Sequence, residues 1–240
     1  MPKRFVVAAS EFPGLPRFPA GFELAEALTA ASQQLHETLT PDSTLRTAAR
    51  LAVDILPGAE HAGICEIERG TAPRTLAWTD DVVRSAEAGR TGDGQHGLWD
   101  RMWDGPVASI TDSEADDGGD VLAALGLRSA LSLRLRADRR RLTVLTAYAR
   151  KPGAFDEDAT RIGRLFTAHV SIALDSATVR EQLTEAMHTR DLIGQATGIL
   201  MERQGIDAAA AFESLVRASQ RENVKLRDIA RRIVDIHNGP

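Results

Sequence analysis

Arg190-Asp191-Leu192-Ile193-Gly194-Gln195-Ala196-Thr197-Gly198-Ile199-Leu200-Met201-Glu202-Arg203 is the run from which the architecture can be read. It closes a long helical pattern that begins after Lys151-Pro152-Gly153, where Asp156 is placed to cap the helix. Within that pattern Leu165, Ile172, Val179, Ala186, Ile193 and Leu200 recur every seven residues. The row three residues earlier is mixed, with Ile162, His169, Ser176, Leu183, Arg190 and Thr197. A full coiled coil needs both rows apolar, so this is half a seam. It predicts a helix that packs partly on its own domain and partly on a second copy of the chain. Leu165, Ile172, Val179, Leu183 and Ala186 form the expected dimer seam. His169 is read as a polar interface residue, since no neighbour offers metal-ligand spacing.

Downstream of Gly205, Asp207 caps a second helix whose inward row is Ala208, Ala211, Phe212, Leu215, Val216 and Ser219. Glu222-Asn223 breaks it. Leu226, Ile229, Ala230, Ile233 and Val234 mark a third helix, ending before Asn238. Helices with apolar faces this narrow bury a core only against one another, which predicts a compact three-helix bundle.

Upstream of the long helix the pattern changes. Residues 1–20 hold Pro2, Pro13, Pro16 and Pro19 and read as an extended or disordered arm. Phe22–Leu39 has helical spacing, with Leu28, Ala31, Leu35 and Leu39 on its inner face. Thr40-Pro41-Asp42 starts a second helix that Pro57-Gly58 ends. Strands are expected at His61–Arg69, Thr75–Trp78 and Val107–Ile110. Asp80-Asp81 caps a helix running to Ala88, and Leu98–Trp103 is a helical turn. Ser113–Asp120 is acidic, glycine-containing and read as an exposed loop. A hairpin follows: Ser129–Arg136 alternates Leu131, Leu133 and Leu135 with Ser132, Arg134 and Arg136, and Leu142–Arg150 returns. Arg139-Arg140-Arg141 at its turn is read as a solubilising edge. The fold class is α+β: an arm at 1–20, a sandwich with an antiparallel sheet over 21–180, and the bundle over 181–240.

Composition limits what such a chain can do. With 43% hydrophobic and 26% charged residues it is an ordinary globular sequence, and its net charge of −5 gives no bulk attraction to nucleic acid. The charge is uneven: Ala186–Pro240 holds 8 Lys and Arg against 7 Asp and Glu, leaving 21 against 27 for the rest. Only the tail is not repelled by phosphate. The single cysteine, Cys65, excludes an internal disulfide or multi-thiolate metal site and sits in an apolar run that predicts burial. No apolar run approaches the roughly 20 residues that span a bilayer, and the chain reads as cytoplasmic, with no membrane partner. No Ser/His/Asp or paired-carboxylate grouping stands out, so no catalytic residue, metal or cofactor is assigned and the chain is expected not to be an enzyme.

The last 55 residues or so resemble the ANTAR domain, the RNA-binding module of bacterial transcription antitermination regulators. The resemblance rests on Ile193-Gly194-Gln195-Ala196-Thr197-Gly198-Ile199-Leu200-Met201, Ala210-Ala211-Phe212-Glu213-Ser214-Leu215 and Leu226-Arg227-Asp228-Ile229-Ala230, in that order and spacing. Many members carry lysine where Thr197 stands. Residues 22–180 are similar to a GAF sensor domain through the Leu51–Gly58 helix end, His61–Glu66, Leu125-Gly126-Leu127-Arg128-Ser129 and Ala154-Phe155-Asp156. The order of the two is that of actinobacterial GAF–ANTAR proteins. Related GAF domains often carry a cysteine in a glycine-rich run corresponding to Gly92-Asp93-Gly94-Gln95-His96, where none is found here. A small-molecule ligand of the GAF domain is therefore unassigned, and the sulfoxide reduction carried out by some GAF domains lacks its cysteines. The resemblance implies a homodimer that binds paired stem-loops in nascent transcripts and keeps transcription going.

The candidate RNA contacts follow from what the apolar faces leave unexplained. On the long helix these are Arg190, Gln195, Thr197, Gly198 and Arg203, with Arg190, Thr197 and Met201 on one side. Gly198 costs about 1 kcal/mol relative to alanine within a helix, so it marks close approach of either another helix or an RNA backbone. Around the bend at Asn223 lie Arg217, Gln220, Asn223, Lys225 and Arg227, donors suited to phosphates and base edges. No aromatic belongs to that bend, so an arginine plane would have to supply stacking. The alternative is a DNA-binding regulator that uses the C-terminal helices as a helix-turn-helix, with Asp228 and Asp235 diluting the charge of the last one.

Overall fold

A computed structural model describes residues 21–69, 71–89, 97–116 and 119–238. The expected arm at 1–20 and the Gly92–His96 run lie outside the described residues. The described residues divide into two units, which meet within one helix after Leu174.

The first unit is built on a five-stranded antiparallel sheet. Its strands are β1 (His61–Glu68), β2 (Arg74–Trp78), β3 (Val107–Ile110), β4 (Ser129–Ala137) and β5 (Arg141–Ala149), in the order β2-β1-β5-β4-β3. The predicted hairpin is present, with Leu131 opposite Ala147 and Leu133 opposite Leu145. One face is covered by α1 (Gly21–His36), α2 (Pro41–Ile55) and the start of α6 (Glu157–Gln204). There Leu35, Ala48, Ala52, Phe166 and Val170 pack on Ile64, Leu131, Leu133 and Leu145. Gly163 lets α6 come close, because a Cβ there would lie 2.5 Å from Leu133 Cδ1.

The opposite face carries α3 (Asp81–Gly89), α4 (Gly97–Asp104) and α5 (Asp120–Ala124). Val83, Ala86, Met102 and Leu122 meet Cys65, Val144 and Tyr148 in a second core cluster. Alternation in β4 would have put Ser132 on a solvated face. Instead Ser132 is fully buried and its hydroxyl lies 2.8 Å from that of Thr146 across the ladder. A paired hydroxyl loses little on burial, so the second helical layer can close over it. The predicted exposed loop after β3 is also tied down: Ser113 is buried, donating from Oγ to the Leu127 carbonyl and from its amide to the Arg128 carbonyl. Asp112 pairs with Arg128 beside it, and the Asp116 carboxylate accepts the Thr111 amide.

Local capping chemistry is as read from sequence. Asp80 Oδ1 accepts the Val82 and Val83 amides at the start of α3, and Asp156 Oδ1 accepts the Ala159 amide at the start of α6. Burial raises the Asp80 carboxyl, but bonds from His61 and Thr79, the His61 charge and the Val83 amide outweigh it and hold it below the usual carboxylate range. One expectation needs correction. Leu39 lies beyond α1 and is exposed, not on an inner face. His169 is exposed and bonds Ser32 of α1 through Nδ1 at 2.9 Å.

The second unit comprises the end of α6, α7 (Ala208–Glu222) and α8 (Leu226–Asn238). Leu192, Ala196, Leu215, Ile229, Ala230 and Val234 form its core. Gly205 adopts φ +64° and donates to the Met201 carbonyl, the left-handed ending that glycine makes without strain. Asp207 caps α7 through the Ala210 amide, and Asn223, at φ 52°, ends it with its own amide turned back to Gln220 and Ser219.

Candidate nucleic-acid interface

Along α6 the seven-residue row changes partners. Leu165, Ile172 and Val179 are exposed, as are Leu183 and Ala186. Ile193 and Leu200, which continue the row in sequence, are half-buried against the bundle core. The row is thus open beside the first unit and partly covered by the bundle's own core in the second. The outward side passes instead to Leu183, Met187, Arg190, Gly194, Gly198 and Met201, among which Gly194 and Gly198 are exposed. Ile193 and Leu200 continue the row in sequence but pack against the bundle core of their own chain.

The structure answers one question about Gly198. A Cβ built there, or at Gly194, meets nothing within 4 Å. No helix of this chain crosses close to either glycine among the described residues, and the pair leaves a smooth exposed strip of backbone. Gly198→Ala is expected to stabilise the bundle by about 0.5–1 kcal/mol through helix propensity alone. A thermal melt of the variant checks this, and destabilisation would mean that the site is not open.

The ten candidate contacts do not form one patch. Arg190 and Arg227 line a groove of about 570 Å³ together with Ala186, Ile193 and Phe212. Gln195 and Gly198 line a different one, beside Glu202, Val234 and His237. Arg203 reaches the second of these sides, with Nη2 3.2 Å from His237 Nδ1. Arg217 sits two residues beyond the buried Leu215, about 200° round α7, and binds Glu213 at 3.3 Å and the Ser214 hydroxyl at 3.0 Å. Gln220 and Lys225 are exposed at the bend, where Asn223 has the backbone task of ending α7. Thr197 is half-buried and donates its hydroxyl to the Ile193 carbonyl at 2.8 Å.

Pairing sorts the cations further. Arg227 donates to Glu185, Arg232 to Glu222 at 2.6 Å, and Arg221 lies 3.8 Å from the same Glu222. Arg190 and Lys225 have no carboxylate partner among the described residues. Two residues of the row expected to face inward on α7, Ala208 and Phe212, are exposed. Phe212 was counted in the inward row of α7, yet it is 44% exposed and shares its groove with Arg190 and Arg227. An aromatic side chain therefore stands among the candidate contacts after all. Its position one residue after the buried Ala211 puts it at the edge of the apolar stripe, and spacing alone does not show how wide that stripe is.

Among the described residues no three His, Cys, Asp or Glu side chains gather as a metal site, and no helix is long and apolar enough to cross a membrane. Cys65 is buried.

Comparison with known proteins places both units. Bacteriophytochrome RpBphP3 from R. palustris is similar in structure at 12% identity, over 83% of this chain and 48% of that one, with a TM-score of 0.60. The photosensory core module of the Stigmatella aurantiaca phytochrome gives 10% identity, 84% and 46% coverage and 0.58. The phycoerythrobilin-bound GAF domain of a cyanobacterial phytochrome gives 13%, 66% and 97%, and 0.50. The chain spans about half the length of the first two, and identities this low speak for the fold alone. No curated protein matches the chain in sequence. The GAF domain family matches residues 38–175, well over half of the chain, and the ANTAR domain family matches residues 181–234. The chain thus belongs to the GAF domain family and carries a C-terminal ANTAR domain.

Proposed function

We propose that this protein is a cytoplasmic transcription antitermination regulator that binds stem-loops in nascent RNA as a homodimer, under the control of its GAF domain. The observation that carries the reading is the ANTAR match over 181–234, on a bundle whose exposed α6 side offers Arg190 beside two uncovered glycines. Unpaired loop bases can stack and expose their edges, while phosphates take the arginines. Two bundles serve two loops when the exposed apolar row of α6 pairs with that of a second copy, and linking two weak contacts multiplies affinity. The GAF domain's part is regulatory rather than catalytic, acting on the dimer through α6, and a small molecule is its expected input.

Crosslinking the protein to RNA in cells and sequencing the bound transcripts tests the reading. Enrichment of paired stem-loops upstream of genes is the expected result, and recovery of duplex DNA instead would favour a helix-turn-helix reading. Thr197→Lys adds a cation two turns from Arg190 along α6, at a half-buried position from which a lysine side chain can reach solvent. It is expected to tighten RNA binding and to steepen the slope of log affinity against log salt by about 1, the mark of one added phosphate contact. An unchanged slope would place Thr197 away from the RNA.

A further inference from the structure

The bundle leaves its only aromatic side chain out of its core. Phe212 is the one Phe, Tyr or Trp in residues 175–240, yet it is 44% exposed while its neighbours Ala211 and Leu215 are buried. It lines the open groove with Ala186 and Ile193, which are apolar, and with Arg190, Arg227 and Glu185. We infer that this groove is a nucleobase subsite, in which an unpaired base of a bound RNA stacks on Phe212 while Arg190 and Arg227 take the flanking phosphates. The inference rests on the RNA-binding reading above and specifies its contact surface.

Two features favour a nucleotide over other occupants. An aromatic face accepts any base by stacking, without needing an edge-specific donor. Two guanidinium forks beside an apolar slot match a base joined to phosphate, whereas an apolar side chain would leave both arginines without use. Glu185 fits as a placeholder. Its carboxylate holds the Arg227 guanidinium in the free protein, in the position that a phosphate would occupy in the complex.

The test uses the full-length protein and a two-stem RNA with six-nucleotide loops, enriched on the wild type from a pool with randomised loops. Phe212→Leu keeps an apolar side chain and removes the π face, and it should weaken binding about 5- to 150-fold, the range supplied by one stacked base. Phe212→Trp should retain wild-type affinity. In the unmodified protein, 4-thiouridine placed in the loop should crosslink to the peptide that contains Phe212. Binding by Phe212→Leu as tight as wild type, or adducts confined to other peptides, would overturn the subsite and leave RNA binding standing. Conversion of Phe212→Leu to a monomer in sedimentation would give the groove to a second copy and overturn it as well. Failure of the pool to yield any RNA would remove the functional reading together with the subsite.

Discussion

An Ile172→Asp, Leu183→Asp double variant is expected to sediment as a monomer and to bind a two-stem RNA about 100- to 10,000-fold more weakly than the wild type. The two residues are 67% and 60% exposed and lie eleven positions apart, about three helical turns, so they share one side of α6. Neither belongs to a core cluster. Aspartate at an exposed helical position costs no more than about 0.7 kcal/mol in propensity, so the fold should survive. What is lost is the apolar surface available to a partner copy and the second RNA contact that the partner would bring. Binding of a single-stem RNA should change far less, since it never gained from the link. A double variant that remains dimeric in sedimentation would remove this row from the interface.

Phe166→Ala is expected to remove about 3–5 kcal/mol from the first unit. Phe166 is fully buried on the face of the sheet that α6 covers, among Leu131, Leu133 and Leu145. Against a typical total of about 5–15 kcal/mol for a domain, that loss takes much of the margin. Calorimetry should show the transition of the first unit at a lower temperature. The bundle core of Leu192, Leu215 and Ile229 shares no residue with the Phe166 cluster. A scan unchanged from wild type would mean that Phe166 is not seated in the core.

Features set by neighbours in sequence were legible without a structure. The caps at Asp80, Asp156 and Asp207 and the left-handed turn at Asn223 depend on one side chain or one backbone angle, and each was readable from residue type. The hairpin of β4 and β5 was equally plain. What escaped depends on layers and on distance. Alternation in β4 shows which residues share a face, but not that a second helical layer covers Ser132 and Thr146. The five-residue helix α5, which follows the acidic stretch, was missed because its one buried anchor, Leu122, makes no periodic pattern. The Arg227–Glu185 pair joins residues 42 apart, and the Phe212 groove draws on three helices. The run Arg190–Arg203 marked the ANTAR domain, while the sharing of its residues between two grooves required their positions in space.

The change of partner along the α6 row gives the proposed dimer a genetic consequence. Substitutions along one repeat should fall into separate inheritance classes. A polar change at Ile172 or Leu183 leaves a folded chain that cannot pair, so a normal copy in the same cell should mask it. A polar change at Ile193 or Leu200 strikes the bundle interior, and proteolytic clearance of the unfolded chain would also make it recessive, but with lost abundance. Loss of Arg190 belongs to neither class. On the proposed dimer that chain should still fold and pair, so it should poison the dimers it enters, and dominance would separate the proposed binding surface from the proposed pairing surface on a single helix.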